Sequence, residues 1–407
     1  MEKLQPKLRF PEFDGNWEIK KIEEIFSIFN GYAFPSNASE TEGVLWVKIA
    51  DVGIQKMKFD NLSYLPISFS EKHRKFKLSK GDYVIALTRP ILDGKLKIAQ
   101  INKFFDGALL NQRVGKLISN NCLPFVYSLL QRDELIKSIE NNIAGSDPPN
   151  LSPNEINSIE VNVPNIQEQQ KIASFLTAVD DKISQLTRKK TLLEKYKKGV
   201  MQKIFNQDIR FKADNGNEFP EWEEKTLSEI SNKPKYGLNS SAKEYDGING
   251  YIRITDIDEQ SRCFLRDKIT SPEGFDDSYL VSSNDLLFTR TGASTGKSYL
   301  YNENDGKLYF AGFLIKFHIS KANSKFVFYQ TLLSKYDKWV KTMSMRSGQP
   351  GINAEEYSSL PLLLPCLQEQ TKIANFLSAI DDKINQVAAQ LEKTTVFKKG
   401  LLQQMFC

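Results

Sequence analysis

Histidine is almost absent: His73 and His318 are the only two in 407 residues. That weighs heavily against a histidine-based catalytic triad or a histidine-rich metal centre. Cysteine is scarce as well. Cys122, Cys263, Cys366 and Cys407 are scattered, with no CxxC pair. This pattern suits neither a disulfide framework nor a zinc site, and it fits a reducing cytoplasm. No apolar run approaches the roughly 18 residues of a membrane-spanning helix. The opening residues, MEKLQPKLRFPEF, contain no apolar h-region, so no secretory signal peptide is expected. The formal net charge is only +5, which permits nucleic-acid binding without demanding it.

What the chain does contain, it contains twice. Pro164–Phe205 reads PNIQEQQKIASFLTAVDDKISQLTRKKTLLEKYKKGVMQKIF, and Pro365–Phe406 reads PCLQEQTKIANFLSAIDDKINQVAAQLEKTTVFKKGLLQQMF. The two align without a gap at an offset of 201 residues, with 20 of 42 positions identical. Both have helical periodicity. Ile172, Leu176, Val179, Ile183, Leu186, Leu193, Val200 and Ile204 fall on alternating steps of four and three, with Lys190 and Lys197 filling the missing slots, and Ile373, Leu377, Ile380, Ile384, Val387, Leu391, Leu401 and Met405 keep the same phase. Such a seam predicts a helix that packs along another helix. About 40 residues at 1.5 Å each span roughly 60 Å, the length of a spacer or docking rod rather than of an ordinary globular helix. The apolar phase continues past Gly199 and Gly400, so helix is expected to run through both. A mid-helix glycine costs about 1 kcal/mol, and its presence in both copies suggests close backbone approach.

The regions before the two helices also correspond. Residues 1–163 carry strand-like runs at 45–52, 82–87, 97–101 and 113–118, then a helical run at 123–139, a polar loop and a last strand. Residues 206–364 replay that order, with Trp222 answering Trp17 at an offset of 205. A length of 407 residues suffices for roughly two to three domains. The chain therefore divides into a mixed domain (1–163), a helix (164–205), a second mixed domain (206–364) and a second helix (365–407). Two copies of one domain can pack about a pseudo-twofold axis, as in a homodimer. Two basic domains held apart by paired helices match duplex DNA, where twofold readers contact half-sites roughly 34 Å apart. Divergent domains would read different half-sites, and similar helices would offer equivalent docking surfaces to a partner present twice.

The twice-repeated Q-E-Q-x-K-I-A-x-F-L-x-A-[VI]-D-D-K-I, at Gln167–Ile183 and Gln368–Ile384, resembles the specificity subunit of type I restriction-modification systems. The late K-K-G, FTRTGASTGK (288–297) and GDYVIALTRP (81–90) add to the likeness, which covers the whole chain. The resemblance implies an α+β fold: two pseudo-twofold-related α/β target recognition domains joined by two long helices packed as an antiparallel coiled coil. It implies a non-catalytic, cytoplasmic reader of double-stranded DNA. Each domain would read one half of a bipartite asymmetric site, and the helices would set the spacer and dock two methyltransferase subunits. Two restriction/translocase subunits would complete the assembly. No cofactor would belong to this chain; S-adenosylmethionine, ATP and magnesium would be bound by the partners. The competing reading is a coiled-coil scaffold that binds protein without DNA readout.

Several stretches carry candidate contacts. Gly292–Ser298 looks like a phosphate loop but has three residues between its glycines, where the Walker pattern needs four. A hairpin turn is the bland reading; the functional one is a basic loop against DNA, with Arg290, Thr291, Ser294 and Lys297 reaching phosphate or guanine. In the first domain Arg89, Lys95 and Lys97 flank a glycine-containing turn, and Asn111, Gln112 and Arg113 suit base edges. Arg346 lies in a polar loop of the second domain and is a further candidate. Asp147-Pro-Pro-Asn150 is similar to the DPPY motif of adenine methyltransferases, but Asn150 cannot stack on a flipped base, and a proline-rich loop is the better reading. For partner docking the candidates are Gln167, Glu168, Gln169, Lys171, Asp180 and Asp181, with Gln368, Glu369, Gln370, Lys372, Asp381 and Asp382 in the second copy. Sequence leaves open whether these residues bind a partner or keep one packing geometry.

Overall fold

The computed structural model describes residues 5–143, 148–345 and 349–407. These form two compact units. One runs up to Arg188 and includes Ala388–Cys407; the other is Lys189–Val387. Each long helix is thus shared, its start in one unit and its end in the other.

In the first unit the order is β1 (Glu18–Lys21), β2 (Ser27–Asn30), β3 (Val44–Val47), β4 (Tyr83–Ala86), β5 (Ile98–Gln100), β6 (Leu109–Leu110) and β7 (Val114–Ile118). Then come α1 (Leu123–Leu129), α2 (Asp133–Ile143) and β8 (Glu160–Val163), and the long helix α3 (Ile166–Phe205) begins. The central sheet has the order β2-β7-β4-β5, β3 pairs β6 in parallel, and β1 pairs β8. Every residue of β4 is buried, as expected for a β-branched and aromatic central strand.

The second unit repeats this plan. β9 (Glu223–Thr226), β10 (Lys235–Tyr236), β11 (Gly250–Ile252), β12 (Asp285–Thr289), β13 (Ser298–Leu300), β14 (Leu308–Phe310) and β15 (Leu314–His318) come first. They precede α4 (Ser324–Gln330), α5 (Ser334–Met343), β16 (Pro361–Leu364) and the long helix α6 (Leu367–Gln404). The sheet order is β10-β15-β12-β13, with β11 parallel to β14 and β9 paired to β16. One glycine recurs for a steric reason. A Cβ on Gly31 would lie 2.1 Å from the Asn111 carbonyl oxygen, and one on Gly237 would lie 2.0 Å from that of Ala311.

Two expectations need correction. The helical run at 123–139 is two helices, and its counterpart in the second unit is broken at the same place. There the backbone switches to i→i−3 bonds, Gln131 to Ser128 at 3.1 Å and Thr331 to Phe328 at 3.0 Å. Local side chains compete for the helix carbonyls: Gln131 donates to the Tyr127 carbonyl at 3.1 Å, and Thr331 to that of Phe328 at 2.7 Å. Helix does run through Gly199 and Gly400, but no backbone approaches closely. A Cβ at Gly199 would meet nothing within 4 Å, and one at Gly400 only the Gln404 side chain at 4.0 Å.

Candidate functional site

The start of each long helix is bolted to its own domain. Glu168 is buried, and Arg9 grips it with two hydrogen bonds of 2.7 Å while Trp17 donates to it at 3.3 Å. Hydrogen bonding to that carboxylate raises the Arg9 pKa above its ordinary value. Gln169, also buried, accepts from the Cys122 amide at 3.2 Å and donates to the Pro164 carbonyl at 2.9 Å. The second unit repeats the arginine and glutamine bonds, while the Trp222 indole nitrogen is buried without a partner. Arg210 donates to Glu369 at 3.3 and 3.0 Å, and Gln370 accepts from the Asn323 amide at 2.9 Å and donates to the Pro365 carbonyl at 2.7 Å. Glu168, Gln169, Glu369 and Gln370 are therefore occupied inside their units, not presented to a partner.

Asp180 and Asp381 join the helices. In the first unit Lys398 pairs with Asp180 at 2.6 Å, and the chain end at Phe406 lies against Trp17 and Phe125 near the start of α3. In the second unit Lys197 pairs with Asp381 at 2.6 Å, and Phe205 lies against Trp222 and Phe326. The helices run antiparallel in both units. Lys171 and Lys372 point outward but are paired, with Glu12 at 3.1 Å and Asp214 at 2.5 Å.

Part of the likeness of the helices lies on exposed positions. Gln167, Ser174, Ala178, Asp181 and Gln185 are all exposed, and their spacing puts them on one stripe of α3. Gln368, Asn375, Ala379, Asp382 and Gln386 are the exposed counterparts on α6. Four of the five pairs are identical although no packing requires it. Beside the first stripe, Cys122, Gln170, Thr177 and Asp181 line a shallow groove.

Arg89, Lys97, Asn111, Gln112 and Arg113 gather at one end of the first central sheet, and Arg290, Thr291, Ser294 and Lys297 at the same end of the second. In the first domain the Leu87 amide bonds the Arg113 carbonyl at 3.0 Å, the Gln112 amide bonds that of Tyr32 at 2.9 Å, and the Arg89 amide bonds that of Pro149 at 2.8 Å. Arg89, Gln112 and Arg113 are exposed there, and Lys97 is half-buried beside them. Asn111 is different: it is buried, and its side-chain oxygen accepts from the Arg113 amide at 3.1 Å. Lys95 is engaged in an ion pair with Asp133, which holds that carboxyl below its ordinary pKa.

In the second domain the Arg290 guanidinium lies 4.8 Å from the Tyr236 ring, and its amide bonds the carbonyl of exposed Phe313 at 3.0 Å. Thr291 bridges to Gly351, and the Gly292 amide bonds the Pro350 carbonyl at 3.0 Å. Gly292 has φ 74° and Gly296 φ 91°. Thr289 donates to the Ser294 carbonyl, so the Gly292–Lys297 stretch is a closed turn. Ser294 is half-buried on it. Lys297 is largely buried and pairs with Glu259 at 2.5 Å. Arg346 and Asp147 lie outside the described residues. Among the described residues no group of three or more His, Cys, Asp or Glu side chains could hold a metal ion, and no helix is long and apolar enough to cross a membrane.

Sequence reasoning missed Arg9, Arg210, Tyr236 and Lys58. A signal existed for the first two: Arg9-Phe10 and Arg210-Phe211 recur at the same offset of 201 as the helices.

Comparison with known proteins accords with this duplicated plan. A family model described as the type I restriction modification DNA specificity domain matches twice, over residues 14–195 and 220–393. The type I restriction enzyme MjaVIII specificity subunit of Methanocaldococcus jannaschii is 31% identical over 209 residues, which is 51% of this chain and 49% of that one. The chain thus spans about half the length of that relative. The putative MjaX specificity subunit of the same organism is 24% identical over 97% of this chain and 94% of its own. The crystal structure of a type I restriction-modification S subunit from M. genitalium shares the fold with TM-score 0.68, at 19% identity over 99% of each chain.

Proposed function

The chain belongs to the type I restriction modification DNA specificity family, and from that membership we propose that it is the non-catalytic DNA-reading subunit of a cytoplasmic restriction-modification complex. Each domain reads one half of a bipartite duplex site, and the long helices fix the unread spacer between the halves. The observation that carries this reading is the duplication itself. Two divergent domains keep one topology, while an exposed stripe on each helix stays nearly unchanged. A reader of an asymmetric site needs its reading surfaces to differ and its docking surfaces to agree. The Gln167–Gln185 and Gln368–Gln386 stripes each receive one methyltransferase subunit, and two restriction/translocase subunits join that core. Base chemistry, with S-adenosylmethionine, ATP and magnesium, belongs to those partners.

The test is to map methylated adenines in cells that carry this chain with its methyltransferase subunit and in cells that lack only this chain. Loss of one bipartite motif supports the reading. Retention of every motif while the methyltransferase is expressed overturns it.

A further inference from the structure

The two domains carry the same sheet end with different charge pairing. Lys97 and Lys297 occupy one position: the Lys97 carbonyl accepts from the Ala86 amide, and the Lys297 carbonyl from the Thr289 amide, both at 2.9 Å. Lys297 is neutralised by Glu259. Lys97 has no carboxylate partner among the described residues; its ammonium reaches only the Thr88 carbonyl, at 3.5 Å. Arg89 and Gly292 likewise correspond, through their amide bonds to Pro149 and Pro350. Both are left-handed, with φ 47° and 74°. Glycine takes that conformation freely and arginine does not. Strain of this kind persists where the surroundings fix it, and it collects at functional sites.

Lys58 completes the group, on a loop that the Gln55 amide ties to the Ile98 carbonyl beside Lys97 at 2.9 Å. Its amide bonds the Asp51 carbonyl at 2.8 Å, as that of Leu265 bonds the Asp256 carbonyl at 2.8 Å. The second domain thus has Leu265, Gly292 and a paired Lys297 where the first has three cations. Burial, then the charges of Lys58 and Arg89, lower the Lys97 pKa from its ordinary value. Among the described residues these three cations, Lys58 and Lys97 half-buried and Arg89 exposed, form no ion pair, and cations gathered in this way are completed by an anion from outside the chain.

We propose that Lys58, Arg89 and Lys97 form a phosphate grip that anchors the first domain on the DNA backbone and that their counterparts Leu265, Gly292 and Lys297 do not reproduce. This rests on the DNA-reading function proposed above. Gln112 and Arg113, exposed at the same sheet end, stand beside the grip where base edges would lie.

The test is the dissociation constant of the full chain with its methyltransferase subunits, for a duplex carrying the site and for a scrambled duplex, across a salt series. Arg89→Gly installs the residue that the second domain uses and so preserves the turn. Lys97→Met removes the half-buried charge. Lys20→Met, whose cation pairs with Glu18 at 2.9 Å, is the control. Each of the first two variants is expected to weaken both duplexes alike and to lower the slope of log affinity against log salt by about 0.9, the loss of one phosphate contact. The control slope stays at the wild-type value. A steep wild-type slope left unchanged by both variants overturns the grip alone, as does weakening confined to the site-bearing duplex. A wild-type complex that binds neither duplex, or binds without salt dependence, overturns the DNA-reading function itself.

Discussion

Lys398 and Asp180, far apart in sequence, meet at 2.6 Å across the antiparallel helices of the first unit, and the lysine is almost wholly buried there. Its ammonium also donates to Gln131 at 2.7 Å and so ties the helix end to the break between α1 and α2. Lysine at this depth is retained only with such partners. A double-mutant cycle of Lys398→Met and Asp180→Asn, read by denaturant unfolding, is expected to give a coupling energy of about 1–2 kcal/mol. Additive single effects would show that apolar contact alone holds the seam.

The Arg9–Glu168 pair sets the junction of domain and helix. Glu168 is buried, so Arg9→Met leaves a carboxylate without its counter-charge. Breaking such a pair from one side costs about 3 kcal/mol. The expected result is a loss of that order in unfolding free energy. Arg9→Met combined with Glu168→Met should recover part of it, since no lone buried charge remains.

Two buried tyrosines are expected to make the first unit sensitive to alkali. Tyr83 and Tyr127 lie with ring centroids 4.8 Å apart. Burial chiefly, with Cys122 and Asp180 adding to it, pushes the Tyr83 hydroxyl up to about 12. Burial and Asp180 push Tyr127 well above its ordinary value too. Because the folded state holds the neutral phenol, this contribution to stability is complete below the ordinary tyrosine pKa of 10.0 and is lost as the pH rises from there through about 12. Ultraviolet titration should show late-titrating tyrosines, and Tyr83→Phe should flatten the fall of stability above pH 10. An unchanged profile in that variant would assign the alkaline loss elsewhere.

The exposed stripes supply a test that leaves the fold alone. Ala178→Arg and Ala379→Arg place bulk and charge on surface positions that touch no core. Each is expected to leave the melting temperature unchanged, as surface substitutions usually stay within about 0.5 kcal/mol. Association with the methyltransferase subunit, followed by light scattering, should lose one copy in each single variant and both in the double. Full association of the double variant would remove the stripes from the docking surface.

The long helices were legible because their apolar seam keeps one phase from end to end and the chain prints it twice. The sheet strands were legible to within a few residues, since runs such as 82–87 and 113–118 are β-branched and bounded by turn residues. The break before Asp133 was not, because it depends on where Gln131 and Thr331 send their side chains. Nor was the Arg9–Glu168 grip, whose partners stand 159 residues apart. At the sheet ends, residue type alone gave Lys97 and Lys297 equal standing. Their difference lies in Glu259, an acid near the second lysine in space but 38 positions away in the chain.

The measurement that tests the central claim most directly is the methylome of a chimera in which residues 206–364 are exchanged for those of another subunit of the same family, with the helices and first domain kept. The expected result is a bipartite motif in which one block changes and the other block and the gap length stay the same. A motif in which both blocks change, or neither does, would contradict a division of readout between two independent domains on a fixed helical spacer.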